Sequence, residues 1–439
     1  MHKKFFLITA SVALLVILLI LVNPSSTDVP AQQSSSSKEG LATHLPPTHN
    51  QYSHGTGPAF SMEQVSSGLP DDLTTPDDFL ALVPLELVTH TATVSGRWSD
   101  PSIWADGIVP VPGARVHIPA GVTITIDFLN DTHLKSLRID GTLRMAQDVA
   151  TMVKVDALVV NESGTFEAGT TKEPIQQGAE SLVTLAAYYT GKEDDNQRKH
   201  SALFVSMGSV SVHGQSKSSM MTLAHDPMAG DKSLALTKIP TNWQAGDILG
   251  IGGSGRTADQ ESTIRIEENK GQKIVLGSPD PNATDYAGLA SDHDTSADQL
   301  AFAVNVSRNA GFSTPADAEG PQGSLIFYGN GVSQASLGYV GAYGLGMSGN
   351  ATEDGHADDQ MTRPAMSFRN GLTSSSPTLS GLAFVNSPED PIELDRATIQ
   401  VRNSVSWNEE GSAWLTDNGS PSSIIWSGKR TTSSVLKAF

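Results

Sequence analysis

The feature that most narrows what this chain can become is a recurring unit of apolar residues, one glycine, and apolar residues again. It reads "LRIDGTLRM" at 137–145, "LVVNESGTFEAG" at 158–169 and "LFVSMGSVSVHG" at 203–214. Gly141, Gly164 and Gly208 hold the turn position, and the first two are 23 residues apart. A unit of that length cannot bury its own apolar face, so it must stack on its neighbours as the rung of a solenoid. Stacked coils share one long core, which suits a chain with only 38% hydrophobic residues. The fold class is therefore all-β.

The same logic extends on both sides. Val116 and Ile118, then Val122, Ile124 and Ile126, alternate with His117, Thr123, Thr125 and Asp127, a period of two that marks strands with one buried face. Pro110, Pro112, Gly113, Pro119 and Gly121 punctuate them. Trp98 and Trp104 are read as plugs at the end of the core rather than as a sugar-stacking platform. Farther on, "LAFVNS" (382–387) and "IQVRNS" (399–404) repeat 17 residues apart, which predicts Asn386 and Asn403 stacked in an amide ladder. Between these regions, 219–280 alternates without the repeat and reads as a small inserted β-barrel or sandwich, followed by a polar connection to 326.

The N-terminus, "MHKKFFLITASVALLVILLILVNPSS", places two lysines before an apolar run from Phe5 to Val22, close to bilayer-spanning length. Positive charge before the run puts the bulk of the chain outside, whether the segment is a retained anchor or a cleaved signal peptide. The expected organisation is residues 1–22 as that membrane segment, 23–88 as a disordered stalk and 89–218 as the first β domain. Residues 219–326 are the insertion with its connection, and 327–439 are further rungs. The ending "SSVLKAF" shows no recognisable polar cap, which predicts missing last coils. There is no cysteine, and the net charge of −19 excludes nucleic acid as a partner. That charge also repels an acidic polysaccharide unless basic residues cluster locally or a cation bridges.

Trp98, Trp104, Gly107, Pro110, Gly113, Val116, Ile118, Gly121, Asp127, Leu137, Gly141 and Leu143 together resemble the eight-glycine (G-eight) domain. That domain is found in fibrocystin and in the cell-migration-inducing and transmembrane hyaluronidase family. "GSVSVHG", "NWQAGDILGIGG" and "VSRN" are similar to segments that lead, in that family, into a right-handed parallel β-helix. The resemblance implies the same architecture here, an extracellular location and a hyaluronan-like partner. It also exposes a departure. Where the family carries histidines on its β-helix, "RPAMSFR" (363–369) presents Ser367 and Arg369, and the last histidine of the chain is His356.

Without those imidazoles the chemistry falls to carboxylates. Glu393 and Asp395, two apart on a strand, would share a face, and Asp417 lies nearby, the pairing that glycoside hydrolysis needs. Arg363, Arg369 and Arg402 would line a groove and grip uronate carboxylates with their forks. "SDHDTSAD" (291–298) and "EDGHADD" (353–359) offer oxygen ligands for calcium, with Asp292, Asp294, Asp358 and Asp359 as candidates, but lack the spacing of a regular calcium loop. "GIGGSG" (250–255) satisfies a dinucleotide fingerprint, yet strand-like alternation follows it where a helix is required. The expectation is an exported protein that binds extracellular polysaccharide without cleaving it. The enzymatic alternative is a hyaluronidase-like glycosidase.

Overall fold

The computed structural model describes residues 73–186, 202–252, 262–280, 283, 285–290, 292, 301–315, 323–329, 334–346, 363–370, 378–387, 391–394, 399–407 and 425–427. All belong to the compact unit Glu39–Phe439. Among them lies one α-helix, Pro76–Ala81, and the rest of the regular structure is strand apart from short 3-10 turns.

Most strands run parallel, each pairing with its counterpart one coil away, which makes a β-helix of three walls. In the first wall Ser181–Leu185 is followed by Ala310–Ser313, Gly341–Tyr343, Ala383–Val385, Val405–Trp407 and Ile425–Ser427. In the second, Arg115–Ile118 is followed by the later halves of Leu129–Ile139 and Thr151–Val160, then Leu203–Ser206, Ser324–Tyr328, Met366–Arg369 and Ile392–Leu394. The long strand Thr151–Val160 serves two walls: Thr151–Val155 pair with Ser181–Leu185, and Ala157–Val160 with Leu203–Ser206. The third wall has eight described strands. They are Gly96–Arg97, Thr123–Ile126, Thr142–Met145, Thr165–Ala168, Ser209–His213, Gln334–Gly338, Thr378–Ser380 and Gln400–Arg402.

Parallel stacking turns the apolar repeat into ladders. Val116, Leu137, Leu158, Phe204, Leu325, Met366 and Ile392 stand one above another inside the second wall, all buried. Ile124, Leu143, Phe166 and Val210 face them from the third. Phe204 meets Phe312 edge-on at 5.0 Å and Phe327 stacks on Phe368 at 5.0 Å, while Trp98 and Trp104 close the N-terminal end as the expected plug. Each such side chain contributes about 1.5–3 kcal/mol by leaving water.

The repeat glycines stack too, since Thr142 pairs with Thr165 and Thr165 with Ser209. A Cβ on Gly141, Gly164 or Gly208 would collide with carbonyl oxygens of the preceding coil. The predicted amide ladder does not form. Asn386 follows a first-wall strand and Asn403 a third-wall strand, so they occupy different corners. A full coil here is 22 residues, as the pairing of Ala383 with Val405 shows, and an offset of 17 falls short of it. Both asparagines instead take left-handed backbone angles, φ +55° and +50°, that turn the chain at their separate corners.

The insertion is a barrel. Met220–Thr222, Phe302–Asn305, Ile248–Gly252, Ser262–Lys270, Lys273–Gly277 and Ser233–Ala235 form an antiparallel sheet in that order, and a bridge between Leu223 and Leu236 joins its ends. Its Ile248, Val304 and Val306 pack on the outer face of the first wall with Leu182, Tyr343, Ala383, Val385, Val405 and Trp407. Gly250 is where the Trp407 indole lies against the barrel backbone, and Trp407 Nε1 donates to Thr263 Oγ1 at 3.1 Å. That close approach, rather than a phosphate, accounts for the first glycine of "GIGGSG"; residues 253–255 lie outside the described ones.

Residues 73–87, expected within a disordered stalk, are folded. Thr75 and Asp78 form a reciprocal capping box with Pro76 in the first turn. Leu73, Phe79 and Val83 then cover Val159, Leu203, Val205 and Ile326 on the outside of the second wall, with Phe79 edge-on to Tyr328 at 5.4 Å. The apolar run 5–22 lies outside the described residues, among which no helix is long and apolar enough to cross a membrane.

Candidate functional site

With the barrel over the first wall and the N-terminal strap over the second, the outer face of the third wall is one that no described segment covers. Period-two alternation puts apolar residues inward, so polar ones must point out. Three ladders result. Thr123, Thr142, Thr165, Ser209 and Gln334 form one. Arg97, Thr125, Arg144, Glu167, Ser211 and Ser336 form the second. The third runs His213, Gly338, Ser380, Arg402. Eight strands at about 4.8 Å spacing make a face roughly 34 Å long.

Among the described residues its charges are Arg97, Arg144 and Arg402, with Glu167 beside Arg144 and Asp127 beside Arg97. Arg144 Nε holds Glu167 Oε1 at 2.8 Å, and Arg97 reaches Asp127 at 3.6 Å. Local basic residues on a chain of net charge −19 are what an acidic polymer would require. His213 lies across Gly338, whose missing Cβ makes room for the ring, and contacts Ser336 Oγ at 2.9 Å and Thr171 Oγ1 at 3.5 Å. Burial keeps this imidazole below its usual pKa, hence neutral, and no carboxylate among the described residues pairs with it.

Where the third wall turns toward the first, a cleft of about 400 Å³ opens between the corner and the barrel. It is lined by Ser216, Lys217, Ser218, Thr241, Tyr339, Asn403 and their neighbours. Tyr339 sits at φ +54°, unusual for a bulky residue, with its ring against Gly381. Behind the cleft a buried polar network ties barrel to helix. Lys217 Nζ donates to Asp247 Oδ1 at 2.6 Å, and Asn305 Nδ2 to Asp247 Oδ2 at 2.8 Å. The fully buried Arg308 donates to the carbonyls of Asn305, Ser307 and Gly381 and to Ser219 Oγ. Asn309 Nδ2 reaches the carbonyls of Ile175, Gln176 and Ala179. The "VSRN" motif is thus a structural joint.

The residues singled out from sequence do not converge. Arg369 and Glu393 lie together on the second wall, 3.4 Å apart, with Ser367 Oγ donating to Glu393 Oε2 at 2.9 Å and Arg369 also donating to the Leu73 carbonyl. Arg402 stands on the third wall, and Arg363 is buried. The three arginines therefore do not line one groove, because successive strands of one coil face different directions. Asp395, Asp417, Asp294, Asp358 and Asp359 lie outside the described residues. Asp292 is exposed and accepts from the Ala229 amide at 2.7 Å. Among the described residues no three His, Asp or Glu side chains group as metal ligands. Sequence reasoning missed the polar wall and the cleft. The run of outward Thr and Ser was visible in "VTITID", "GTLRM", "SGTFEAG" and "GSVSVHG", but only covering the other two walls singles it out.

Residues 103–224 match the G8 domain family, so the chain carries a G8 domain, and this segment supplies four strands of the third wall. A G8 domain-containing protein of Dictyostelium discoideum is 27% identical over 201 residues, 40% of this chain and 17% of that relative. Communication mutant protein F of the same organism is 27% identical over 238 residues, 48% of this chain and 20% of its own length. The matched region thus spans about a fifth of the curated relatives. Among solved structures, the Gp54 tailspike of Acinetobacter baumannii bacteriophage AP22, in complex with capsular saccharide, shows 9% identity over 66% of this chain and 40% of its own. The gp61 tailspike of Pseudomonas phage phi297 shows 10% over 67% and 42%. Both give a TM-score of 0.19.

Proposed function

Starting from a G8 domain that supplies four strands of a polar wall no described segment covers, we propose that this chain is an exported β-helix that binds extracellular polysaccharide along that wall without cleaving it. The observation that carries the reading is the Thr123, Thr142, Thr165 and Ser209 hydroxyl ladder beside its Arg- and Ser-bearing neighbour, on a wall that no described segment covers. An extended glycan offers hydroxyls at regular intervals, and rows of Thr and Ser can donate and accept at each of them. Arg97, Arg144 and Arg402 favour a uronate-bearing polymer such as hyaluronan over a neutral one. The lysine-preceded run Phe5–Val22 supports a location outside the cell, bound to or released from the membrane. Binding rather than hydrolysis is favoured because cleavage uses two carboxyl groups flanking one bond. The one carboxylate in the described ladders, Glu167, is engaged by Arg144.

The test is affinity electrophoresis of the full-length chain through gels containing hyaluronan, alginate or a neutral glucan. Retardation by the uronate polymers, weakened roughly tenfold by Arg144→Glu, supports the reading. No retardation by any polymer overturns it. Shortening of hyaluronan during incubation, abolished by Glu393→Ala, would replace binding with hydrolysis.

A further inference from the structure

The cleft beside Tyr339 is chemically unlike the third wall. Its lining is hydroxyl and amide, from Ser216, Ser218, Thr241, Asn403 and Ser404. The one charged group among its described lining residues, Lys217, is already neutralised by Asp247 at 2.6 Å. Asp247 Oδ1 is the only hydrogen-bond acceptor the buried Lys217 ammonium finds among the described residues, although an ammonium carries three protons. The half-buried Tyr339 ring is held in place by Gly381, which takes φ +70° and has no side chain to displace it. The stacked corner positions of neighbouring coils are Gly381 and Asn403, residues that adopt positive φ readily. Tyrosine is the costly choice there, and residues in strained backbone conformations gather where a side chain has a task.

Resting on the polysaccharide reading above, we propose that this cleft is a distinct subsite for one uncharged pyranose unit, a chain end or a branch of the glycan on the third wall. Tyr339 is its stacking platform. A volume of about 400 Å³ falls in the range of small-ligand sites. A pyranose presents an apolar C–H face to an aromatic ring and hydroxyls around its rim, matching Tyr339 on one side and the Ser, Thr and Asn groups on the others. A free carboxylate would find one cation among the described lining residues, already paired with Asp247, and would lose hydration for little net charge compensation.

The test uses the full-length chain in a sugar-free zwitterionic detergent, probed by saturation-transfer NMR with methyl glycosides of glucose, galactose and N-acetylglucosamine, and with methyl glucuronide. At least one neutral glycoside should bind, and more tightly than the glucuronide. Tyr339→Asn relieves the backbone strain, so it should fold at least as well by thermal melting while lowering that affinity about tenfold, equivalent to about 1.4 kcal/mol. Thr241→Trp, which fills the cleft from its exposed rim, should do the same. Retardation by hyaluronan gels should be retained in both variants and weakened by Arg144→Glu, so failure of the cleft and failure of the wall are separately visible. Tighter binding of the glucuronide, no binding of any glycoside, or unchanged affinity in both variants overturns the proposal.

Discussion

Replacing Gly208 by alanine puts the stacking principle to a quantitative test. The added Cβ would lie under 3.0 Å from two carbonyl oxygens of the preceding coil, those of Asn161 and Gly164, where ordinary contact begins near 3.4 Å. Neither atom is the tip of a flexible side chain, so the coils themselves must separate, by about 1 Å. The Ser209 amide, now 3.0 Å from the Gly164 carbonyl, would then be near 4 Å and no longer hydrogen-bonded. Losing one such bond costs about 1–3 kcal/mol and the overpacking another 1–3. The sum, roughly 2–6 kcal/mol, is a large share of the 5–15 typical of a domain. Gly178→Ala is the control: φ is +89° but the space is open, so only the left-handed strain of about 1–2 kcal/mol applies. Urea unfolding followed by tryptophan fluorescence should give a clearly lower midpoint for Gly208→Ala than for Gly178→Ala at unchanged slope. Equal midpoints would refute the claim that carbonyl stacking, and not backbone angle, demands the repeat glycine.

Three further outcomes follow from the buried charges. Arg308→Met strands the carbonyls of Gly381, Asn305 and Ser307 and should lower stability by about 3–5 kcal/mol, with limited proteolysis cutting first at the barrel. Burial pushes Glu180 up to about 8, and its Oε1 is buried without a hydrogen-bond partner. The folded state therefore binds more protons than the unfolded one between the ordinary carboxylate range and pH 8, so stability falls as pH rises through that window; Glu180→Gln should flatten the fall in thermal melts. Asp140 is lowered to about 2: its burial opposes ionisation, but His117, Asn161 and Arg138 together outweigh it. Its folded pKa lies below the unfolded one, so its stabilisation is present above about pH 4 and lost as pH falls through 2. Asp140→Asn should remove that acid-dependent loss in pH-jump unfolding.

How far the residues alone could be read differs from place to place. The ladders inside the walls were legible, because an apolar-x-apolar strand has only one way to share a core with its neighbours. Trp98 and Trp104 were legible as a plug for the same reason. The corners were not: Asn386 and Asn403 look equivalent in sequence yet turn different edges, since strand and corner lengths, not local motifs, set which residues stack. Arg369 and Arg402 were likewise grouped by type, although one coil's turn separates the directions they face. The capping box at Thr75 and Asp78 was present within the supposed stalk, but a short helix gains stability only from the wall it covers.

From its sequence, this protein was bound to be a stacked β structure with an inserted β unit, because periodicity and the repeat glycines are local properties that any coil of that length must satisfy. Which wall the barrel and strap leave uncovered, and that a cleft forms beside Tyr339, was decided only in three dimensions. Those features depend on where the barrel and the strap come to rest, and that is set by contacts between residues far apart in the chain, which no local pattern records.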